Sequence, residues 1–89
     1  MSRYDVAWTS TALRHFDSLP KKVAVAIIEF CESTLCDQPI RASKQLNAPF
    51  DRMRSVRRGQ YRVIISIDEE HSRVFVHAIR HRNVAYAKK

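Results

Sequence analysis

Hydrophobic and polar residues alternate along four segments of the chain, which is the pattern of half-buried β-strands. The first segment spans residues 3–8. The other three lie in the second half, over about residues 52–58, 60–67 and 72–79. Because only short connections separate these last three strands, they are predicted to pair as an antiparallel meander.

Helical spacing of apolar residues occurs between the first strand and the meander. The apolar positions of a first, short helix are Leu13, Phe16 and Leu19, and its capping candidates are Thr9, Ser10 and Thr11. Pro20 ends this helix and suits the start of a second, longer helix over about residues 20–36. The apolar stripe of the second helix is wide, which predicts that it packs across a sheet.

These elements predict an α+β fold in a single domain over residues 1–89. An N-terminal strand is followed by a helical hairpin and then by the three-stranded antiparallel meander. The segment 37–50 carries two prolines and little periodicity, so it is predicted to be a connecting loop. The helices are expected to cover one face of the sheet and to leave the other face open.

The alternation also assigns residues to the two faces of the sheet. On the strand over 60–67, the predicted core residues are Tyr61, Val63, Ile65 and Ile67. Arg62 then lies on the open face. If Val56 of the preceding strand points to the core, Ser55 and Arg57 join Arg62 there. These arginines either bind an anionic ligand or are incidental charges on a solvated face.

Charge is distributed unevenly along the chain. The sequence has 16 Lys and Arg against 9 Asp and Glu, and its formal net charge is +7. Residues 1–40 carry −1 and residues 41–89 carry +8. The basic half suits a nucleic acid, an anionic membrane surface or an acidic protein segment. No apolar run approaches the roughly 20 residues that cross a bilayer, and no signal peptide is evident, so no membrane partner and a cytoplasmic location are expected.

The two cysteines predict neither a disulfide nor a metal site. Cys31 and Cys36 fall in one predicted helix, about 140° apart around its axis, which does not favour a bridge between them. No further Cys or His lies at metal-ligand spacing. Both are expected to be reduced thiols in the core.

Several motifs, taken in order, resemble the RelE/ParE toxin superfamily, and the RelE branch most closely. The motifs are P-x-R-x-x-K-x-L (Pro39, Arg41, Lys44, Leu46), R-R-G-Q-Y-R-V-I-I from Arg57, I-D-E-E-H from Ile67 and H-R-N-V-A-Y from His81. The resemblance covers about residues 3–86. The chain departs from the family at Ile65 or Ser66, where an aromatic residue is frequent, and at Ser55, where a basic residue is frequent.

This resemblance implies a RelE-like microbial ribonuclease-type fold and the toxin of a type II toxin-antitoxin system. Members of the RelE branch are ribosome-dependent endoribonucleases that cleave mRNA in the ribosomal A site, without a cofactor. Their implied partners are the ribosome, mRNA and a cognate antitoxin, which is expected to be acidic, partly disordered when free and bound in a hetero-oligomer. The alternatives are a ParE-like inhibitor of DNA gyrase and an inactive RNA- or protein-binding module.

The resemblance also implies roles for individual residues. Arg62 and Arg82 bind the scissile phosphate, for which the charged, bidentate guanidinium is well suited. Arg57 stabilises negative charge or makes the ribose 2′-hydroxyl more acidic. Tyr86 stacks on a base or orients that hydroxyl. His81 is a candidate general acid or base, and a structural hydrogen-bonding role is its alternative.

The remaining basic residues receive broader predictions. Those expected to steer the protein to RNA are Arg41, Lys44, Arg52, Arg54 and Arg58. His77 alternates with His81 and is predicted to line the same face. His15 and His71 are predicted to be solvated residues on a helix and on a turn, respectively.

Overall fold

The computed structural model describes residues 3–82, and in these residues a five-stranded sheet carries helices on one face. In chain order, the elements are β1 (Asp5–Trp8), α1 (Ser10–Asp17), α2 (Lys21–Phe30), a π-helical turn (Cys31–Leu35), α3 (Pro39–Ala42), β2 (Lys44–Gln45), β3 (Arg54–Arg58), β4 (Tyr61–Asp68) and β5 (Arg73–His81). The strand order across the sheet is β1-β5-β4-β3-β2, with β1 parallel to β5 and the other pairs antiparallel. The predicted α+β class, first strand, helical hairpin and meander are confirmed.

Local signals explain the bounds of the helical hairpin. The Thr9 hydroxyl accepts a hydrogen bond from the Ala12 amide at 3.1 Å and so caps α1. Pro20 is the N-cap of α2, whose first turn tolerates the missing amide proton. The second helix continues through the π-helical turn, where the Cys36 thiol donates to the Cys31 carbonyl at 2.9 Å. Both cysteines are free thiols, as expected, but only Cys31 is buried; Cys36 is half-buried, so its predicted place in the core is only partly met.

The connection over 37–50 contains two elements that the prediction of a loop missed. The two-residue strand β2 pairs with β3, so that the sheet has five strands in the described residues. The short helix α3 precedes it. Arg54 of β3 holds this segment: its guanidinium bonds the Ser43 hydroxyl at 2.6 Å and the Ile40 carbonyl at 3.1 Å. Both elements therefore depend on contacts with a distant strand, which local periodicity does not encode.

The core lies between the sheet and the helices. The buried hydrophobic residues are Ala12, Ile27, Cys31, Leu35, Val56, Val63, Ile65, Val74, Val76 and Ile79. Tyr61 and Ile67 pack against this cluster, so the core face predicted for β4 is confirmed. Trp8 of β1 meets Phe16 of α1 edge to face, with ring centroids 5.5 Å apart. Burial of each large aliphatic side chain contributes about 1.5–3 kcal/mol to stability.

A β-bulge divides β5. Ile64 pairs with Ala78, whereas Ile65 pairs with Val76, so His77 is an extra residue with no counterpart on β4. The bulge changes which positions of β5 face the helices, and the next buried residue after Val76 is Ile79.

Helix α1 satisfies the backbone of β5 at the bulge. The last residue pair between β1 and β5 joins Trp8 to Val76, so the edge of β5 beyond that point needs other partners. The Thr9 hydroxyl donates to the His77 carbonyl at 3.3 Å, and the Ile79 amide donates to His15 Nδ1 at 3.2 Å.

The prediction that His15 is merely solvated is therefore wrong, because its ring is a partner of the β5 backbone. Burial, and then the nearby Arg80 and Arg14 cations, lower the pKa of His15. This shift favours the neutral ring, which can accept the proton of the Ile79 amide.

Candidate functional site

Three arginines form a row across the open face of the sheet. Arg57 of β3 pairs with Arg62 of β4, and Arg62 pairs with Arg80 of β5. Directly opposed residues project to the same side of a sheet. Arg62 alternates with the buried Val63, so this arginine row lies on the side opposite the core. The predicted open-face positions of Arg57 and Arg62 are confirmed.

The arginine row concentrates positive charge near one end of three strands, beside the β3–β4 turn. Arg57 and Arg80 are exposed, whereas Arg62 is half-buried and its Nε atom is buried. Neighbouring strands lie about 4.8 Å apart, so the row spans roughly 10 Å. Like charges directly opposite each other destabilise a sheet. A ligand with several negative charges, such as an RNA backbone, would relieve that repulsion.

Arg80 is a candidate site residue that reasoning from the sequence missed. Continuous alternation from the core residues Val74 and Val76 would put residue 80 on the helix side. The bulge at His77 reverses this assignment and brings Arg80 to the open face. The sequence signal was weak, since Ala78 continues the apolar alternation of Val74 and Val76, and only the apolar Ile79 beside it is out of phase.

The remaining predicted phosphate ligand, Arg82, lies at the same end of the sheet. It is exposed and directly follows β5, and its amide donates to the Gln60 carbonyl at 2.7 Å. Gln60 belongs to the two-residue connection between β3 and β4, in which Gly59 has a φ of 60°. Such a turn requires the left-handed backbone that glycine adopts readily. Tyr86 lies outside the described residues.

The two histidines of β5 lie on opposite faces. His81 pairs with Tyr61, and their rings meet edge to face with centroids 5.1 Å apart on the helix side. His77 lies on the open face, where its Nε2 atom is 2.8 Å from the Ser66 hydroxyl. The prediction of a shared face is wrong because the bulge separates these residues. The structure therefore puts His81 on the face opposite Arg62. His77 lies on the same face as Arg62.

The predicted steering residues divide into two groups. Arg41, Lys44 and Arg52 are exposed, and Lys44 is in register with Ser55 of the open face. Arg54 and Arg58 instead contact the helical side. Arg54 bonds the α3 segment, and the Arg58 guanidinium lies 5.1 Å from the centroid of the Phe30 ring. The structure thus gives these last two arginines packing contacts, and the steering role of all five residues stays a prediction.

Two further observations limit the chemistry of the site. Ser55 is uncharged and is buried with only 7% of its surface exposed, so it contributes no cation to the arginine row. In the described part of the chain, no cluster of three or more His, Cys, Asp or Glu side chains is arranged to hold a metal ion.

His71 is exposed on its turn, as predicted, and its ring lies 2.8 Å from Asp68. That hydrogen bond lowers the pKa of the Asp68 carboxyl.

Comparison with known proteins decides the family. Residues 6–86 match the sequence-family model of the ParE toxin of the type II toxin-antitoxin system, parDE. The chain belongs to the RelE/ParE toxin family. The toxin is 41% identical to Toxin RelE of Mycobacterium tuberculosis over 83 residues, which cover 93% of this chain and 86% of that protein. It is 35% identical to Toxin RelG of the same organism over 85 residues, which cover 96% and 98%.

Solved structures agree with the fold of the toxin. It matches a chain of the toxin-antitoxin complex RelBE2 of Mycobacterium tuberculosis with a TM-score of 0.87 and 36% identity, over 90% of this chain and 99% of that chain. The archaeal RelE-RelB complex of Pyrococcus horikoshii OT3 matches with a TM-score of 0.73 and 23% identity, over 96% and 100%. The toxin has no helix within residues 3–82 that is long and apolar enough to span a membrane.

Proposed function

We propose that this toxin is a ribosome-dependent endoribonuclease that cleaves mRNA in the ribosomal A site and so inhibits translation. The observation that carries the proposal is the arginine row, in which Arg57, Arg62 and Arg80 are opposed across three strands of the open face. The similarity of the toxin to a protein named Toxin RelE supports the same activity. The activity also accounts for a cluster of cations that otherwise weakens the sheet.

The arginine row suits a reaction in which RNA supplies its own nucleophile. The ribose 2′-oxygen loses its proton and attacks the adjacent phosphorus, and the bond from phosphorus to the 5′-oxygen breaks as that oxygen gains a proton. The pentacoordinate phosphorane between these steps carries two negative charges. Arg62 would bind a phosphate oxygen from the centre of the row, while Arg57 and Arg80 neutralise charge from either side. Arg82 would bind the same phosphate from the end of β5.

Proton transfer is the weaker part of this site. Arginine has a pKa above about 12 and is a poor general base. His81 is on the helix side of the sheet, which favours the structural alternative for that residue. For Tyr86, the proposed roles remain stacking on a base or orienting the ribose 2′-hydroxyl. We therefore expect the ribosome to hold the mRNA in line for attack, and this is the physical reason for ribosome dependence.

The proposed partner that restrains the toxin is a cognate antitoxin in a hetero-oligomer. Proteins similar to this toxin have been solved as RelBE2 and RelE-RelB complexes. A toxin with a net charge of +7 suits an antitoxin whose binding segment is acidic and partly disordered when free. A groove of about 380 Å³ between α2 and the β3–β4 turn, lined in part by Val23, Ala26 and Tyr61, would receive its apolar side chains.

The test is expression of the toxin under tight control, with RNA ends mapped in a translating extract and gyrase-dependent DNA breaks mapped in parallel. We expect new ends within translated codons, at sites occupied by ribosomes. Arg62→Ala and Arg82→Ala should each lower cleavage by about 100- to 1000-fold, because each removes a cation aimed at the phosphate. Arg73→Ala is the matched control, since this exposed arginine lies at the opposite end of β5.

Each alternative outcome has a distinct meaning. Efficient cutting of naked RNA by the purified toxin would contradict ribosome dependence. DNA breaks that require gyrase, without new RNA ends, would favour the ParE-like function. Equal loss of activity in all three arginine variants would indicate a diffuse basic surface. The absence of both new RNA ends and DNA breaks would favour an inactive binding module.

A further inference from the structure

A second cluster of side chains lies on the open face, nearer to the β4–β5 turn than the arginine row. Ser66 of β4 is in register with Phe75 of β5, and its hydroxyl is 2.8 Å from His77 Nε2. The rings of Phe75 and His77 have centroids 6.4 Å apart and are tilted by 42°. All three residues are half-buried. We call this cluster, Ser66, Phe75 and His77, the aromatic platform.

The β-bulge is what brings His77 onto this face. Bulges re-aim side chains and are frequent next to active sites. Here the position of the bulge is fixed from the helix side, since the Thr9 hydroxyl bonds the His77 carbonyl at 3.3 Å. His77 is therefore held at its backbone by Thr9, on the edge of β5, and at its ring by Ser66.

The chemistry of the platform suits a nucleobase. Burial lowers the pKa of His77, so the ring is neutral near pH 7 and adds no charge to the arginine row. Ser66 engages Nε2, and within residues 3–82 no side chain bonds Nδ1. A neutral ring beside a phenyl ring offers a stacking surface, and Nδ1 offers one polar atom to a base edge. Aromatic and histidine side chains stack on unpaired bases in many RNA-binding proteins.

We propose that the aromatic platform is a nucleobase-binding subsite that stacks a purine of the RNA and so biases where the toxin cuts. This inference rests on the proposed ribonuclease function. Ser66 is four residues from Arg62 on the same face of β4, which corresponds to about 13 Å. About four stacked nucleotides cover that distance. The base therefore belongs to a nucleotide within about four positions of the scissile phosphate, and purines are favoured because their larger rings stack more strongly.

Phosphate and base contacts would then be divided between the two clusters. The arginine row positions the backbone without reading sequence, and the platform adds a preference for one kind of base. A protein partner is the competing occupant of this surface. RNA is favoured because the apolar groove proposed for the antitoxin lies on the helix side, between α2 and the β3–β4 turn, whereas the platform shares the open face with the arginine row.

The test maps cleavage sites in a translating extract for the wild-type toxin and for His77→Ala, His77→Phe and Ser66→Ala. The wild type should favour a purine at one position within about four nucleotides of the cut. His77→Ala should lower cleavage at the preferred purine sites by up to about ten-fold, which is within the range for loss of a base–aromatic stack, and should thereby reduce the preference. His77→Phe should retain the preference because it retains the stack, and Ser66→Ala should weaken it. His71→Ala is the matched control, since His71 is exposed on the β4–β5 turn, outside the platform, where its ring bonds Asp68.

Thermal unfolding of each variant and its affinity for the antitoxin are measured alongside. An unchanged base preference in a folded, active His77→Ala toxin would overturn the subsite while leaving the ribonuclease function intact. Loss of antitoxin affinity with unchanged base preference would assign the platform to the protein partner and would also overturn the proposal. Absence of ribosome-dependent ends in the wild type would refute the proposed function itself. If His77→Ala does not fold, loss of the preference in the active His77→Phe toxin would count against stacking.

Discussion

Replacing Arg80 with glutamine should make the toxin more stable and less active at the same time. In the sheet, Arg80 is directly opposed to Arg62, so the wild type holds two like charges side by side. Glutamine keeps much of the length of the side chain and removes the charge. If the arginine row exists to bind phosphate, the change relieves a structural cost and removes a functional contact.

The size of the relief follows from the spacing of opposed residues. Cβ atoms of directly opposed residues lie about 5 Å apart. Two unit charges at that distance in water repel by about 0.8 kcal/mol. Screening leaves about 0.7 kcal/mol at an ionic strength of about 0.01 M, about 0.4 at 0.15 M and about 0.2 at 1 M. These values apply to the dielectric constant of bulk water, and they fall where the long side chains diverge.

Urea unfolding at about these three ionic strengths measures the effect. At about pH 8, where histidines with an ordinary or lowered pKa are neutral, Arg80→Gln should raise the free energy of unfolding most at low salt. Cleavage in a translating extract should fall by about 100-fold. Arg73→Gln is the control with opposite sign: Arg73 is in register with Asp5 on β1 and Asp68 on β4, so its loss should slightly destabilise the toxin.

Two results would refute this reasoning. Destabilisation by Arg80→Gln that does not vary with salt would show that the charge of Arg80 is not in conflict with the rest of the row. Stabilisation with wild-type cleavage would confirm the conflict but remove Arg80 from the phosphate-binding site.

The structure makes two further predictions. His15→Leu should lower stability by about 1 kcal/mol near neutral pH, because the Ile79 amide loses its acceptor. Since the pKa of His15 is lowered in the folded state, its stabilisation is complete above the unfolded value of 6.5 and is lost as the pH falls towards the folded value; the variant should show a shallower acid loss in urea titrations. Burial raises the pKa of Cys31 to about 12, so alkylation of the native toxin at about pH 8, followed by mass spectrometry, should modify Cys36 and spare Cys31 until the protein is denatured. Equal acid sensitivity of the two proteins, or native labelling of Cys31, would contradict these accounts.

Most of the architecture was predictable because its signals are local. Alternation identified β1, β3, β4 and β5, and the only glycine identified the turn between β3 and β4. The capping residue Thr9 and the helix-starting Pro20 marked the helical hairpin. The prediction failed where an element depends on contacts with residues that are distant in the sequence. The strand β2 pairs with β3, and Arg54 bonds the segment before it, but no periodicity in 37–50 indicates those contacts.

The candidate site was predicted in part for the same reason. Arg57 and Arg62 lie on regular strands, where alternation assigns faces correctly. Arg80, His77 and His81 follow or form the bulge, and their faces depend on the pairing of β5 with β4 and on contacts from α1. Family resemblance drew attention to the H-R motif but carried no information on which side of the sheet its histidine lies.

The lengths of the strands also bear on how the toxin avoids polymerising. Exposed strand edges are templates for association with other chains. In the described residues, the two edges of the sheet are its shortest strands, β1 with four residues and β2 with two, while the eight and nine residues of β4 and β5 lie in the interior. Where β1 ends, Thr9 and His15 occupy backbone groups of β5 that another strand would otherwise use. A second copy of the chain therefore finds little edge to extend, and the long central strands are protected from uncontrolled cross-β growth.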